Sequence, residues 1–274
     1  MEYPVLQSNL RTAFILSSLI AVLATVASAG GLFLDDLYRD NLLVTSAWQG
    51  NDLVTLIIGV PTLITALLFC RRGSQRALLV WMGMLDYMLY NYAFYLFGAA
   101  FNRFFLIYVA LLGLSIFALI FGLANLDVDG IGHQFRERTP VRWISSYLLL
   151  VAAGLSVIYV SQSLGFVFTG QLPAIVTRTG HPTSIVFALD LTLLVPFLVL
   201  GAIWLLQRKP WGYVLAGIST VKGPVYTLAL TAGSLWAAKA GVEGAAAETP
   251  LWVFLTAFGL IAGVLLYGNM KPVE

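Results

Sequence analysis

Eight stretches of apolar residues, each long enough to cross a bilayer, account for most of this 274-residue chain. They run over 12–34, 46–70, 77–100, 104–125, 143–163, 184–206, 212–237 and 250–270. A hydrocarbon core about 30 Å thick needs roughly 20 such residues per helix. Lipid cannot satisfy free backbone groups, so spanning segments of this kind are helices. The predicted fold is all-α: a polytopic integral membrane helix bundle of eight transmembrane helices, a single transmembrane domain over 1–274. Composition agrees, with 59% hydrophobic and 10% charged residues against about a quarter charged in soluble domains. A net charge of +2 without any polybasic run excludes a nucleic-acid partner and leaves membrane lipids as the surroundings. With Cys70 as its one cysteine, the chain forms neither an internal disulfide nor a dithiol redox pair.

Charge asymmetry sets the orientation. Alternate connections collect Arg11, Arg71, Arg72, Arg76, Arg136, Arg138, Arg142, Arg208, Lys209 and Lys271 on one side, and only Arg39, Arg103, Arg178 and Lys239 on the other. Positive residues stay inside, which places both termini in the cytoplasm. Acidic residues gather opposite, at Asp35, Asp36, Asp40, Asp52, Glu243 and Glu248. The first segment has the look of a signal peptide, with Arg11 before an apolar run and Ala27-Ser28-Ala29 at its end; it is expected to be retained as a helix.

The two halves, 1–125 and 143–274, resemble each other across a cytoplasmic connector, 126–142. Each has a long outer loop (35–45; 164–183) followed by a six-residue basic inner turn (71–76; 207–212). Laying Arg71–Tyr90 over Gln207–Tyr226 without a gap pairs Arg72 with Arg208, Asp86 with Lys222 and Tyr90 with Tyr226. Gly113-Leu114 and Gly122 match Gly259-Leu260 and Gly268, and Asp52 with Pro61 echoes Asp190 with Pro196. Because each half has an even number of helices, such an internal repeat would be parallel, its pseudo-twofold axis along the membrane normal.

Three charges lie well inside apolar segments, Asp86, Asp190 and Lys222, while Asp52 lies nearer one end of 46–70. A charge at mid-bilayer costs about 2.5–3.5 kcal/mol on insertion scales, so such residues pair and mark a functional interior. Counted from the inner ends of their segments, Asp86 and Lys222 reach nearly one depth. Asp190 is expected slightly outward, and Asp52 near the outer mouth beside Asn51 and Gln49. Tyr90 and Tyr226 follow their charged residues by four positions, on the same helical face. The expected site is an outward-open polar vestibule of Asp86, Asp190, Lys222, Tyr90, Tyr226, Asp52 and Asn91. Two acids beside one base leave a carboxylate without a cation, an arrangement suited to proton exchange. Gly223-Pro224 directly after the lysine predicts a kink. A structural role competes: a buried Asp and Lys can serve only to lock helices together.

Other chemistries find little support. His133 and His181 fall in opposite loops, which argues against haem or a histidine metal site. No HExxH motif, serine-protease pattern or nucleotide loop occurs, and the two intramembrane aspartates lack the glycine motif of intramembrane aspartyl proteases. No cofactor is implied. A Schiff-base pigment at Lys222 would need a retinal-protein segment that Ser219-Thr220-Val221-Lys222 does not resemble. The aromatic residues of 77–100 surround their helix, and the loop at 127–142 reads as a solvated connector.

Asn91-Tyr92-Ala93, Phe97-Gly98, Leu126-Asp127-Val128-Asp129, Leu189-Asp190-Leu191, Arg208-Lys209-Pro210-Trp211-Gly212-Tyr213 and Val221-Lys222-Gly223 resemble a group of bacterial polytopic membrane proteins described only as hypothetical. The likeness runs along nearly the whole chain. It implies a bacterial plasma (inner) membrane protein and carries no activity with it. Three functional classes follow from the residues: a carrier or channel for a small solute or ion, a non-catalytic sensor or assembly module with structural ion pairs, and a membrane enzyme acting on a lipid-like substrate. Oligomeric state is not legible. In a Cys70→Ser background, cysteines at Ser74 and Gly241 should label from the cytoplasmic and external sides respectively; labelling from one side would break the charge-derived topology.

Overall fold

A computed structural model describes residues 10–271. Among them 82% are helical and no strand forms. The placement of the chain ends falls on 1–9 and 272–274, outside the described residues.

The first half contains α1 (Arg11–Phe33), α2 (Leu42–Val54), α3 (Val60–Arg71), α4 (Gln75–Gly98) and α5 (Phe105–Ala124). The second contains α7 (Val141–Thr169), α8 (Ala174–Thr179), α9 (Ile185–Leu189), α10 (Val195–Leu206), α11 (Pro210–Lys239) and α12 (Thr249–Tyr267), with α6 (Val128–Gln134) between the halves. Side chains fix several starts: Asn41 accepts from the Val44 amide at α2 and Ser74 from the Ala77 amide at α4, occupying donors that the first turn leaves free.

Two rods change helical pitch partway. A π turn at Thr55–Gly59 joins α2 to α3, and another at Asp190–Leu194 joins α9 to α10. In each, a Val-Pro pair follows at once, Val60-Pro61 and Val195-Pro196. Proline lacks a backbone hydrogen and crowds the preceding turn, so a widened turn just ahead of it relieves both. The kink predicted at Gly223-Pro224 is not a break: α11 is helical from Pro210 to Lys239. The Pro224 ring packs instead toward α12, where a Cβ on Gly259 would lie 2.8 Å from its Cγ.

Among the described residues, seven helices or joined rods are long and apolar enough to cross a membrane: α1, α2–α3, α5, α7, α9–α10, α11 and the run Ala245–Tyr267 ending in α12. α4 is not among them. It has 24 residues, but Gln75, Arg76, Asp86, Asn91 and four tyrosines dilute its apolar character. It is nonetheless one of the most enclosed elements, with 16 of those 24 residues buried. α5 and α7 are the opposite case, apolar and turned outward through Leu106, Phe117, Leu150 and Val157.

Neighbours follow the same order in both halves. α1 packs on α2–α3 and α5, and α4 on α3 and α5; α7 packs on α10 and α12, and α11 on α10 and α12. The halves meet where α11 lies against α2 and α4, and α9 against α4. Close approach of α11 to α2 depends on glycine: a Cβ on Gly50 would stand 2.2 Å from the Gly233 nitrogen. Asn41 Nδ2 donates to the Arg178 and Thr179 carbonyls, clasping the loop before α2 to α8. The connector is less free than expected. Phe135 stacks on Tyr213 at 4.4 Å, its segment pairs with Met270, and Lys271 N donates to the Gln134 carbonyl.

Gly50→Ala should therefore lower stability by about 1–3 kcal/mol through overpacking. Gly154→Ala, where a Cβ meets nothing within 4 Å, should be neutral or stabilising by up to about 1 kcal/mol. Thermal melting of both variants in detergent checks the contrast.

Candidate functional site

α4 and α11 meet at their mid-helix charges, where Lys222 Nζ lies 3.3 Å from Asp86 Oδ2. This is the only Lys or Arg pair with a carboxylate among the described residues. The lysine side chain is 5% exposed and the aspartate 14%. One turn outward, Tyr90 and Tyr226 meet edge to face with centroids 4.9 Å apart. The ammonium also sits over the Tyr90 ring, 4.2 Å from its centroid, an attraction that strengthens where water is excluded.

Asp190 does not touch the lysine. Tyr90 stands between them, offering its ring face to Lys222 and donating its hydroxyl to Asp190 Oδ1 at 2.5 Å. Tyr159 of α7 donates to Oδ2 at 2.9 Å. Asp190 is buried and opens the π turn of its rod. The result is a continuous line from Asp86 through Lys222, Tyr90 and Asp190 to Tyr159, crossing four rods. Sequence reasoning placed Tyr90 beside the charges but gave it no partner, and it missed Tyr159. A tyrosine in a lipid-facing helix is an ordinary interfacial residue until the fold turns it inward.

Asp52 and Asn91 do not join this line. Asp52 Oδ1 accepts from Tyr95 at 2.9 Å and Oδ2 from Tyr38, and Gly31 of α1 leaves the space for it: a Cβ there would overlap Oδ2. Asp52 is therefore a separate buried centre rather than an entrance to the central one. Asn91 Oδ1 accepts from Asn51 Nδ2 at 2.5 Å, beside Tyr87, whose hydroxyl lies 2.7 Å from Thr55 Oγ1. This neutral network ties α2 to α4. Tyr38 lies in the loop between α1 and α2, where burial, and behind it the Asp52 carboxyl, push its phenol well above the ordinary value; it keeps its hydrogen and acts as a donor.

The expected open vestibule is absent from this conformation. Asp190, Lys222, Tyr90 and Tyr226 are all buried, because the two phenol rings pack among the charges of α4, α9–α10 and α11, where the expected vestibule would lie.

The ion pair and its neighbour make different demands on stability. Lys222→Met leaves the half-buried Asp86 without its cation, so the single change should be more harmful than Lys222→Met with Asp86→Asn together. The coupling expected from melting measurements is about 1–3 kcal/mol. With Asp190→Asn in place of Asp86→Asn it should be smaller, since a ring separates the two groups. Strict additivity for both pairs would show that these residues do not interact. No protein-family model, curated protein or solved structure matches this chain, and its function is inferred from the geometry of these groups.

Proposed function

We propose that the chain is a carrier or channel for a small solute or ion, coupled to proton exchange, with Asp86, Lys222 and Asp190 at its centre. One observation carries this reading: Asp190 is a second buried carboxylate one ring away from an ion pair that is already balanced. A lock between α4 and α11 needs only Asp86 and Lys222. A further acid held by two phenols adds a cost of burial without adding a bond between those helices, and groups of this kind mark proton and ion paths. Exchange of the pair's partners gives a mechanism: a solute cation or a proton reaching Asp190 or Asp86 weakens the hold on Lys222, and the α4–α11 contact loosens. π turns beside both Asp190 and Thr55 supply points where the rods can adjust.

The architecture belongs to the same proposal. α4 is the eighth crossing, about 36 Å long at 1.5 Å per residue, and its polar residues are tolerated because neighbouring helices cover them. Halves 1–125 and 143–274 are parallel repeats. Three features support this: the shared neighbour order, the π turn before Val-Pro in both second rods, and the meeting of Asp86 with Lys222 and Tyr90 with Tyr226, the pairs that the ungapped alignment makes equivalent. The sequence pairing of Asp52 with Asp190 gives way to Thr55 with Asp190, since these two open the π turns and both bond to tyrosines of α4. Both termini face the cytoplasm of a bacterial plasma membrane.

A second reading, a sensor or assembly module, is favoured by the closure of the site. Melting shifts across a panel of small solutes and ions at two pH values separate the two, followed by uptake into proteoliposomes under an imposed pH gradient. At least one solute should stabilise the wild type and not the folded Asp86→Asn, Lys222→Met double variant, and should enter only with the wild type. A panel that shifts nothing and moves nothing would favour the module.

A further inference from the structure

Asp52 lies outside the central line, 3% exposed and with no cation against either oxygen among the described residues. Tyr95 Oη is within hydrogen-bonding distance of two acceptors, Asp52 Oδ1 at 2.9 Å and the Trp48 carbonyl at 3.1 Å. A phenol has one hydrogen and can fully serve only one of them. Asp52 Oδ2 already accepts from Tyr38. A hydrogen on Oδ1 makes both contacts full bonds: Asp52 donates to Tyr95 Oη, and Tyr95 donates to the second lone pair of the Trp48 carbonyl, beside its helical bond.

The surroundings point the same way. The titratable groups around Asp52 are Tyr38 from the outer loop, Tyr87, Tyr92 and Tyr95 from α4, and Tyr108 from α5. α1 brings the backbone of Gly31 against it. Five phenols and no base face the acid, and it forms no ion pair among the described residues. Asp190 differs: it accepts from Tyr90 and Tyr159, and Lys222 is one ring away.

We infer that Asp52 is a second proton-binding site, separate from Asp86, Lys222 and Asp190 and facing the outer surface through Tyr38. Loading takes one proton onto Oδ1; that hydroxyl then donates to Tyr95 Oη, and the Tyr95 hydrogen turns to the Trp48 carbonyl. Release reverses the turn and returns one proton, with no other bond made or broken. The site rests on the proton-coupled reading only for its purpose, not for its existence.

Infrared difference spectroscopy of the reconstituted full chain tests it through the carbonyl stretch of a protonated carboxylic acid. The wild type should show a band that shifts in heavy water, persists in Asp190→Asn and Asp86→Asn, and vanishes in Asp52→Asn. Tyr95→Phe, which removes the acceptor but not the acid, should keep the band and move it toward that of an acid without a hydrogen-bond partner. This second variant decides the matter should Asp52→Asn fail to fold. A wild type without the band, or a band unchanged in both Asp52→Asn and Tyr95→Phe, overturns the site. Because the band is read without any solute, it can stand while transport fails, and transport can succeed while it falls.

Discussion

The contact between Asp86 and Lys222 is the constraint on which the rest of the bundle depends. Neither charge is tolerable alone in an apolar interior, so their helices have to meet, at matching depth and with these faces turned together. Once α4 and α11 cross there, Tyr90 is brought against both Tyr226 and the ammonium, and its hydroxyl points away from the lysine toward Asp190. α2 and α11 can then close to backbone distance only because Gly50 and Gly233 lack side chains. The centre of the molecule is polar and aromatic, and the apolar residues that dominate the sequence lie mostly around it.

That inversion explains which features were legible in the sequence. Length and apolarity located every long helix, and four-residue spacing put Tyr90 and Tyr226 beside their charges. Equal depth in two segments foresaw the Asp86–Lys222 pair. Depth along a helix, however, says nothing about rotation around it. Asp190 and Asp52 were placed at workable heights, yet their partners are decided by which way the rods face, and Tyr159, Tyr38 and Tyr95 were hidden among residues that resemble an interfacial belt. Proline was a partial guide. At positions 61 and 196 it accompanies a π turn, whereas at 224 the helix simply continues, because there the ring finds room over Gly259.

The two buried carboxylates outside the ion pair illustrate how environment divides one residue type into two chemistries. Asp190 accepts from both of its phenols and has a cation nearby. Asp52 is surrounded by hydroxyls alone, one of which already has another acceptor. No difference in local sequence foretells this, since it arises from donors on other helices.

Asp86 and Lys222 are also far apart in time. Position 222 follows position 86 by 136 residues, and at typical synthesis rates of about 5–20 residues per second the lysine emerges on the order of ten seconds later. α4, the least apolar of the long helices, therefore waits beside α3 and α5 with its acid uncompensated, and the first half cannot reach its final packing by itself. Insertion of this chain is a process in which a late helix completes an early one, and a ribosome stalled before α11 would leave α4 without its partner and exposed to membrane quality control.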